Sequence, residues 1–107
     1  MTNFISTGST YWISDEEIQN FEKNATNGDK NSAFKLYQYH MFVSLDQDSE
    51  FKWLEIAAKN GHPIAQSNLA DLFFTQGNKE KAIFWAKKAY RNGAKLPDEL
   101  KILININ

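Results

Sequence analysis

Residues 53–61 and residues 85–93 carry the same motif 32 positions apart, written as Trp53-Leu54-Glu55-Ile56-Ala57-Ala58-Lys59-Asn60-Gly61 and Trp85-Ala86-Lys87-Lys88-Ala89-Tyr90-Arg91-Asn92-Gly93. The Trp, Ala, Asn and Gly residues fall in register between the two copies. A fixed period of this size is typical of helical-hairpin arrays, in which each unit buries its apolar face only by stacking on its neighbours. Such arrays usually hold other proteins, so the repeat points to binding without naming a partner.

A third, more degenerate copy lies upstream. The matching pairs, at nearly the same spacing, are Gly28 with Gly61, Leu36 with Leu69 and Ile18 with Phe51. Asn20 stands at the Trp position of this first unit. A terminal unit has one face toward water, so its apolar positions are under weaker constraint.

The composition predicts one soluble domain. The chain has 107 residues, 42% of them apolar, and no cysteine, which excludes disulfides and thiolate chemistry. Residues 1–14 lack the basic and apolar segments of a secretory signal. No apolar run approaches the roughly 20 residues of a membrane span. We therefore expect a cytoplasmic protein that does not insert into a membrane.

Charge is distributed unevenly along the chain. Residues 1–50 carry eight acids and three lysines, whereas residues 51–107 carry nine basic residues and five acids. Such a dipolar molecule can steer a charged partner, although solvated helix faces produce the same imbalance. The basic half lacks the density of a nucleic-acid site, so a nucleic-acid partner is not expected.

The pattern along the chain predicts an all-α fold with about six helices. Residues 1–13 form an irregular leader packed on the body, and Ser14-Asp15-Glu16-Glu17 is a capping box that opens the first helix. The predicted helices cover about 14–27, 31–42, 63–75 and 79–92, with a last one starting near Leu96. Between the second and the fourth of the six, another helix follows a short loop at 45–49, is capped by Asp46, Asp48 or Ser49, and runs to about Asn60. Ile64 and Phe51 are expected to face the core. Residues 101–106 fit a short closing helix better than an apolar β-like tail.

These helices predict three antiparallel hairpins in a single domain, 14–107. The repeat units are placed at about 14–45, 46–77 and 78–107. Gly-containing turns separate the helices, because glycine tolerates the left-handed conformation at a helix end.

The spacing Trp53-x-x-x-Ala57-Ala58-x-x-Gly61-x-x-x-Ala65-x-x-x-Leu69 resembles the Sel-one-like branch of the tetratricopeptide superfamily. The next stretch also suits the parent tetratricopeptide pattern, with matches at Leu69, Phe73, Gly77, Ala82 and Ala89. The resemblance covers about residues 15–95. The departures are Ala70 in place of the usual glycine and a loop shortened to Gln76-Gly77-Asn78. The resemblance implies an α-solenoid used as an adaptor, scaffold or inhibitor, without catalysis.

No constellation of catalytic residues is visible. The two histidines, His40 and His62, are far apart in the sequence, and no metal-ligand spacing or glycine-rich phosphate loop occurs. The acids at 15–17 suit the first turn of a helix, and the basic residues at 87–91 suit a solvated helix face. We therefore predict that the protein is not an enzyme and has no cofactor or metal site.

The resemblance also indicates a binding face. In such arrays the first helix of each hairpin lines the inner wall, and here those are the predicted helices 31–42 and 63–75. The side chains expected to point away from their packed stripes, and so to contact a partner, are Phe34, Gln38, Met41, Phe42, Ser67, Asp71 and Phe74. Exposed aromatics and methionines are common anchors of interfaces. The alternative is that these residues pack against the leader or the terminal segment.

Small stand-alone Sel-one-like proteins in bacteria are similar to immunity proteins, which suggests one protein partner, a cognate toxin. The acidic half would assist binding if the toxin is basic. The alternative is a structural or regulatory adaptor, including one that self-associates through Ile102, Leu103, Ile104 and Ile106. We expect a monomer or a weak dimer.

Overall fold

The computed structural model describes residues 10–105 and shows, within that range, six α-helices and no β-strand. The helices are α1 (Asp15–Thr26), α2 (Lys30–Tyr39), α3 (Gln47–Lys59), α4 (Pro63–Thr75), α5 (Lys79–Arg91) and α6 (Asp98–Leu103). The prediction of an all-α fold with about six helices is confirmed.

Two helix ends differ from the predicted ones. A π-helical turn, His40–Ser44, continues α2, and the left-handed Leu45 (φ 57°) stops it. This wider turn is bridged by a hydrogen bond between His40 Nδ1 and Ser44 Oγ at 2.7 Å. Helical periodicity predicts where a helix lies but not where its turns widen. The last helix, α6, begins at Asp98 and not near Leu96 as predicted, because Pro97 has extended backbone.

Side chains cap most helix starts. In the predicted capping box, the Glu17 N–H donates to Ser14 Oγ at 3.2 Å and the Ser14 N–H donates to Glu17 Oε1 at 3.0 Å. The carboxylate of Asp29 caps α2, and His62 occupies the same place before α4 in the next unit. These caps satisfy N–H groups that have no partner inside a helix.

The C-terminal ends of α1, α3 and α5 lie at one edge of the molecule. Asn60, after α3, donates its side-chain N–H to the Ala25 carbonyl of α1 at 3.2 Å. Asn92, after α5, donates to Gln66 Oε1 at 2.9 Å, and Gln66 Nε2 donates to the Ala58 carbonyl of α3 at 3.0 Å. Because short turns join consecutive helices that pack on each other, α1, α3 and α5 run in the same direction, with their C-terminal ends linked in a row. We refer to these three helices as one layer.

Helices α2 and α4 form the second layer. Asn68 of α4 donates to the Tyr37 hydroxyl of α2 at 3.3 Å. The His62 and Phe34 rings stack with centroids 4.0 Å apart. These two contacts fix α2 and α4 side by side.

The core lies between the layers and combines alanines with a few large side chains. The fully buried alanines, which let helix backbones approach closely, are Ala33, Ala57, Ala65, Ala70, Ala82, Ala86 and Ala89. The remaining space is filled by Trp53, Trp85, Leu36, Leu69 and Leu100. The main packing is between helices consecutive in the chain, and the molecule measures 48 × 34 × 23 Å.

The closest helix pairs are α2 with α3 and α4 with α5. The unit boundaries placed at 45/46 and 77/78 therefore fall inside these pairs. Most of the expected leader, residues 1–9, lies outside the described residues. Of its described part, Ile13 is buried and Tyr11 stacks on Phe42 with centroids 4.6 Å apart, while Trp12 is exposed.

Candidate partner-binding surface

An open groove of about 700 Å³ lies where α4 begins, beside the loop that joins α5 to α6. Its walls are residues 93–97 of the loop and, from the start of α4, His62, Pro63, Ile64, Ser67 and Asn68. Concave apolar sites with a few polar groups are the usual form of binding sites.

The loop wall is held in place by the same Asn-Gly turn that the repeat carries. Gly93 has φ +91°, a conformation that favours glycine, and its N–H donates to the Tyr90 carbonyl at 3.1 Å. The Ala94 N–H then donates to the Ala89 carbonyl at 2.9 Å. Leu96 is buried in the core, so the loop is anchored at both ends.

Ile64 is the main apolar side chain of the groove that faces solvent. It is 54% exposed, although the sequence pattern predicted it in the core. The buried stripe of α4 runs through Ala65, Leu69, Ala70 and Phe73, and Ile64 falls on the other side of the helix. An exposed branched aliphatic in a concave site is a natural anchor point for a partner's apolar side chain.

His62 lines the groove and acts as a hydrogen-bond acceptor there. Its Nδ1 accepts the Ala65 N–H at 3.3 Å, so the ring proton sits on Nε2. Partial burial, with a smaller contribution from the charge of Lys30, lowers the pKa of His62. Stacking on Phe34 fixes the plane of the ring.

One of the predicted contact residues lines this groove, and a second stacks on a residue that does. Ser67 lines it, although the side chain is largely buried, and Phe34 touches it through His62. Asp71 is exposed further along α4.

The other predicted contact residues lie elsewhere on the two helices. Phe42 stacks on Tyr11, the contact with the leader that was the alternative for this residue. Met41 and Phe74 are half-buried against the core, and Gln38 is half-buried on α2. Of the seven predicted residues, Ser67 alone lines the groove, and the binding role of all seven stays a prediction.

Sequence reasoning missed Ile64, His62 and the loop 93–97 as a group. One sequence feature could have indicated part of this group. The helix-ending turn Gly61-His62-Pro63 lies one repeat period before the turn Gly93-Ala94-Lys95. In a helical-hairpin array, equivalent turns of adjacent units lie side by side, so the period suggested that these two turns are neighbours. It did not indicate that a groove forms between them.

A second, smaller depression of about 290 Å³ lies between α3 and α4, around Phe51 and Leu72. Phe51 is 36% exposed there instead of facing the core, so the prediction that it is buried was wrong.

Within residues 10–105 no group of three or more metal-ligating side chains comes together. None of the described helices has the length and apolar character needed to cross a membrane.

No family model matches the chain, and no solved structure matches it significantly. The chain is similar to "Uncharacterized protein YibG" of Escherichia coli (strain K12), with 33% identity over 95 residues. The match covers 82% of this chain but 62% of that relative, so the chain spans less than two thirds of the relative's length.

Proposed function

We propose that this protein is a non-catalytic protein-binding module of the Sel-one-like type, an α-solenoid acting in the cytoplasm of a bacterium. Its specific role is that of an immunity protein, which binds one cognate toxin and covers that toxin's active site. The repeat, the two-layer arrangement and the consecutive packing of the helices support the solenoid part of the proposal.

The observation that carries the binding role is the groove around Ile64. The groove joins the exposed Ile64 to Pro63, Ala94 and Pro97, so its lining is largely apolar. A concave, mostly apolar lining with a few polar groups is the usual form of a binding site, and a partner's apolar side chain would bury it. His62 and the exposed Lys95 border this apolar floor, so they provide polar contacts at its rim.

The acidic N-terminal half would contribute to the rate of association. Residues 1–50 carry eight acids and three lysines, which attracts a basic toxin such as a nuclease before the groove engages. In this mechanism the groove determines how long the complex lasts and the acidic half determines how fast it forms.

The test uses the toxin-domain protein encoded beside this protein's gene. Cells expressing that toxin should survive when this protein is co-expressed, and titration calorimetry should give a one-to-one complex. Ile64→Asp should weaken binding at least about tenfold, as loss of a central anchor does. Ile102→Asp is the matched control, because Ile102 is 72% exposed on α6, outside the groove.

Two results would contradict the proposal. Failure of the wild-type protein either to protect or to bind removes the immunity role. Equal binding by the wild type and Ile64→Asp removes the groove from the interface.

The second candidate function is an adaptor that self-associates through its C-terminal segment. The observation in its favour is the 72% exposure of Ile102. A dimer that dissociates on Ile102→Asp, together with no toxin binding, would favour it.

A further inference from the structure

The layer formed by α1, α3 and α5 has a charge gradient across it. On the face that carries Glu22, Glu55 and Lys87, α1 has two acids (Asp15 and Glu22) and no basic residue. On the same face α3 has two acids and two lysines, and α5 has one acid and two basic residues (Lys87 and Arg91). We define the outer wall as the exposed face of these three helices, turned away from α2 and α4. The wall is therefore acidic at α1, nearly balanced at α3 and basic at α5.

The same position of each unit shows the change most clearly. Glu22 on α1, Glu55 on α3 and Lys87 on α5 follow one another at the period of the repeat. Glu55 is paired with Lys59 at 4.0 Å within α3. In residues 10–105 the other ion pair joins Lys101 to Asp98, so the basic side chains of α5 have no acid within 4.0 Å there.

Half-exposed Phe84 lies in the basic part of the wall, one and two turns before Lys87 and Arg91 on the same helix face. The Lys88 ammonium sits over the Phe84 ring, 5.2 Å from its centroid. Exposed aromatic and arginine side chains together are typical of interface centres. The wall thus offers apolar contact as well as charge.

We propose that the outer wall binds the outer wall of a second copy of this chain, giving a two-fold symmetric dimer. A two-fold axis parallel to the helices and beside α3 places α1 of each copy against α5 of the other. The acidic and basic ends then face each other twice, and the balanced α3 helices meet at the centre. A two-fold interface uses the same surface of both copies, so this surface must be complementary to itself after a rotation of 180°.

The size of the wall sets the strength of this dimer. Three helices of about 20 Å, spaced about 9 Å apart, present a face of roughly 600 Å² per copy. Stable interfaces bury about 800 Å² per partner, so the dimer is weak and depends on charge. The net charge of −1 leaves little general repulsion between copies.

The groove around Ile64 lies at the edge where α4 begins and is not part of the outer wall. The dimer therefore leaves that groove accessible, and its test does not depend on toxin binding.

The experiment measures self-association by sedimentation equilibrium at about 20 mM and about 0.5 M salt. The dissociation constant of the wild-type dimer should rise at least about tenfold at the higher salt. A wild-type protein that stays monomeric at low salt, or a dimer indifferent to salt, would overturn the proposal.

Two charge-reversed variants make the test specific. Lys87→Glu/Arg91→Glu makes α5 acidic, and Gln19→Lys/Glu22→Lys makes α1 basic. Each variant alone should self-associate at least about tenfold more weakly, because like charges then face each other. An equal mixture of the two variants should form a heterodimer with an affinity close to that of the wild type. In this heterodimer, each contact between α1 and α5 again joins an acidic helix to a basic one. A mixture that does not recover affinity would refute the two-fold pairing.

Lys30→Glu/Lys35→Glu, which changes charge on the exposed face of α2, is the matched control and should dimerise as the wild type does. Circular dichroism verifies that all variants remain helical. A single-stranded oligothymidine probe tests whether the basic face binds nucleic acid instead. Binding of the probe by a monomeric wild type, lost in Lys87→Glu/Arg91→Glu, would assign that face to nucleic acid and overturn the dimer.

Discussion

The asparagine of the repeated motif is a bridge between units. Asn60 reaches back to the Ala25 carbonyl directly, whereas Asn92 reaches the equivalent Ala58 carbonyl through Gln66. Asn60 thus satisfies the carbonyl itself, whereas the Ala58 carbonyl is satisfied by Gln66 of α4, whose Oε1 accepts the Asn92 N–H. Because Gln66 is buried, both ends of its amide must be hydrogen-bonded.

Asn92→Ala should therefore lower the free energy of unfolding by about 1 to 3 kcal/mol, since it leaves Gln66 Oε1 without its partner. Urea denaturation monitored by circular dichroism gives the value. The matched control is Asn27→Ala, at the same place in the first unit. The structure gives the Asn27 side chain no hydrogen bond within residues 10–105, so this change should be nearly neutral. Equal losses for the two variants would contradict the bridging role.

The recurrence of the asparagine was visible in the sequence, but its role was not. Spacing shows that a residue type repeats, whereas the bond it forms depends on which carbonyl lies opposite. Gln66 has no counterpart in the repeat pattern, since Ala33 stands one period before it. From the sequence alone, a glutamine that will be buried on an apolar helix face cannot be distinguished from one that will be exposed.

At the scale of the helix, α4 begins with an unusual cap. His62 accepts the Ala65 N–H through Nδ1, the role that Asp29 plays for α2. The cap works only when the ring is neutral, because a protonated imidazole has no acceptor. Partial burial of His62 lowers its pKa, in keeping with this requirement.

Stability should therefore fall with acidification. The folded protein holds the pKa of His62 below its ordinary value of 6.5, so the unfolded chain takes up the proton first. This contribution is complete above the ordinary pKa and is lost as the pH drops toward the folded pKa. Burial lowers the pKa of His40 too, so both histidines act in the same direction.

The measurement is the urea midpoint at about pH 7.5 and about pH 5.5, on either side of the ordinary histidine pKa. His62→Asn keeps a capping side chain but does not titrate, so its midpoint should change less between these pH values than that of the wild type. An unchanged pH response in this variant would show that His62 does not contribute.

At the scale of the whole molecule, each helix is stabilised mainly by its neighbours in the chain. Helices α2 to α5 each pack on the helix before and the helix after them, and α3 and α4 are the innermost of these, while α1 and α6 lie at the two ends of the described helices. In a one-dimensional array the ends lack one interface, so they open at lower free energy than the middle.

Native-state hydrogen exchange should therefore show the slowest amides in α3 and α4, faster exchange in α1 and the fastest in the short α6. If the amides of all six helices exchanged with the same opening free energy, the description of the fold as an array with less stable ends would be wrong.

The sequence alone determined the all-α class, the number of helices and most of their bounds, because apolar spacing, caps and glycine turns act over a few residues. It also identified the repeat, whose alanines and tryptophans form the core. Only the tertiary structure decided that Ile64 faces solvent, that Phe42 packs on Tyr11, and that His62 meets the loop 93–97 in a groove. These three contacts and exposures depend on which helices pack against each other. That arrangement arises from contacts between units a full repeat apart in the chain, where local pattern carries no information.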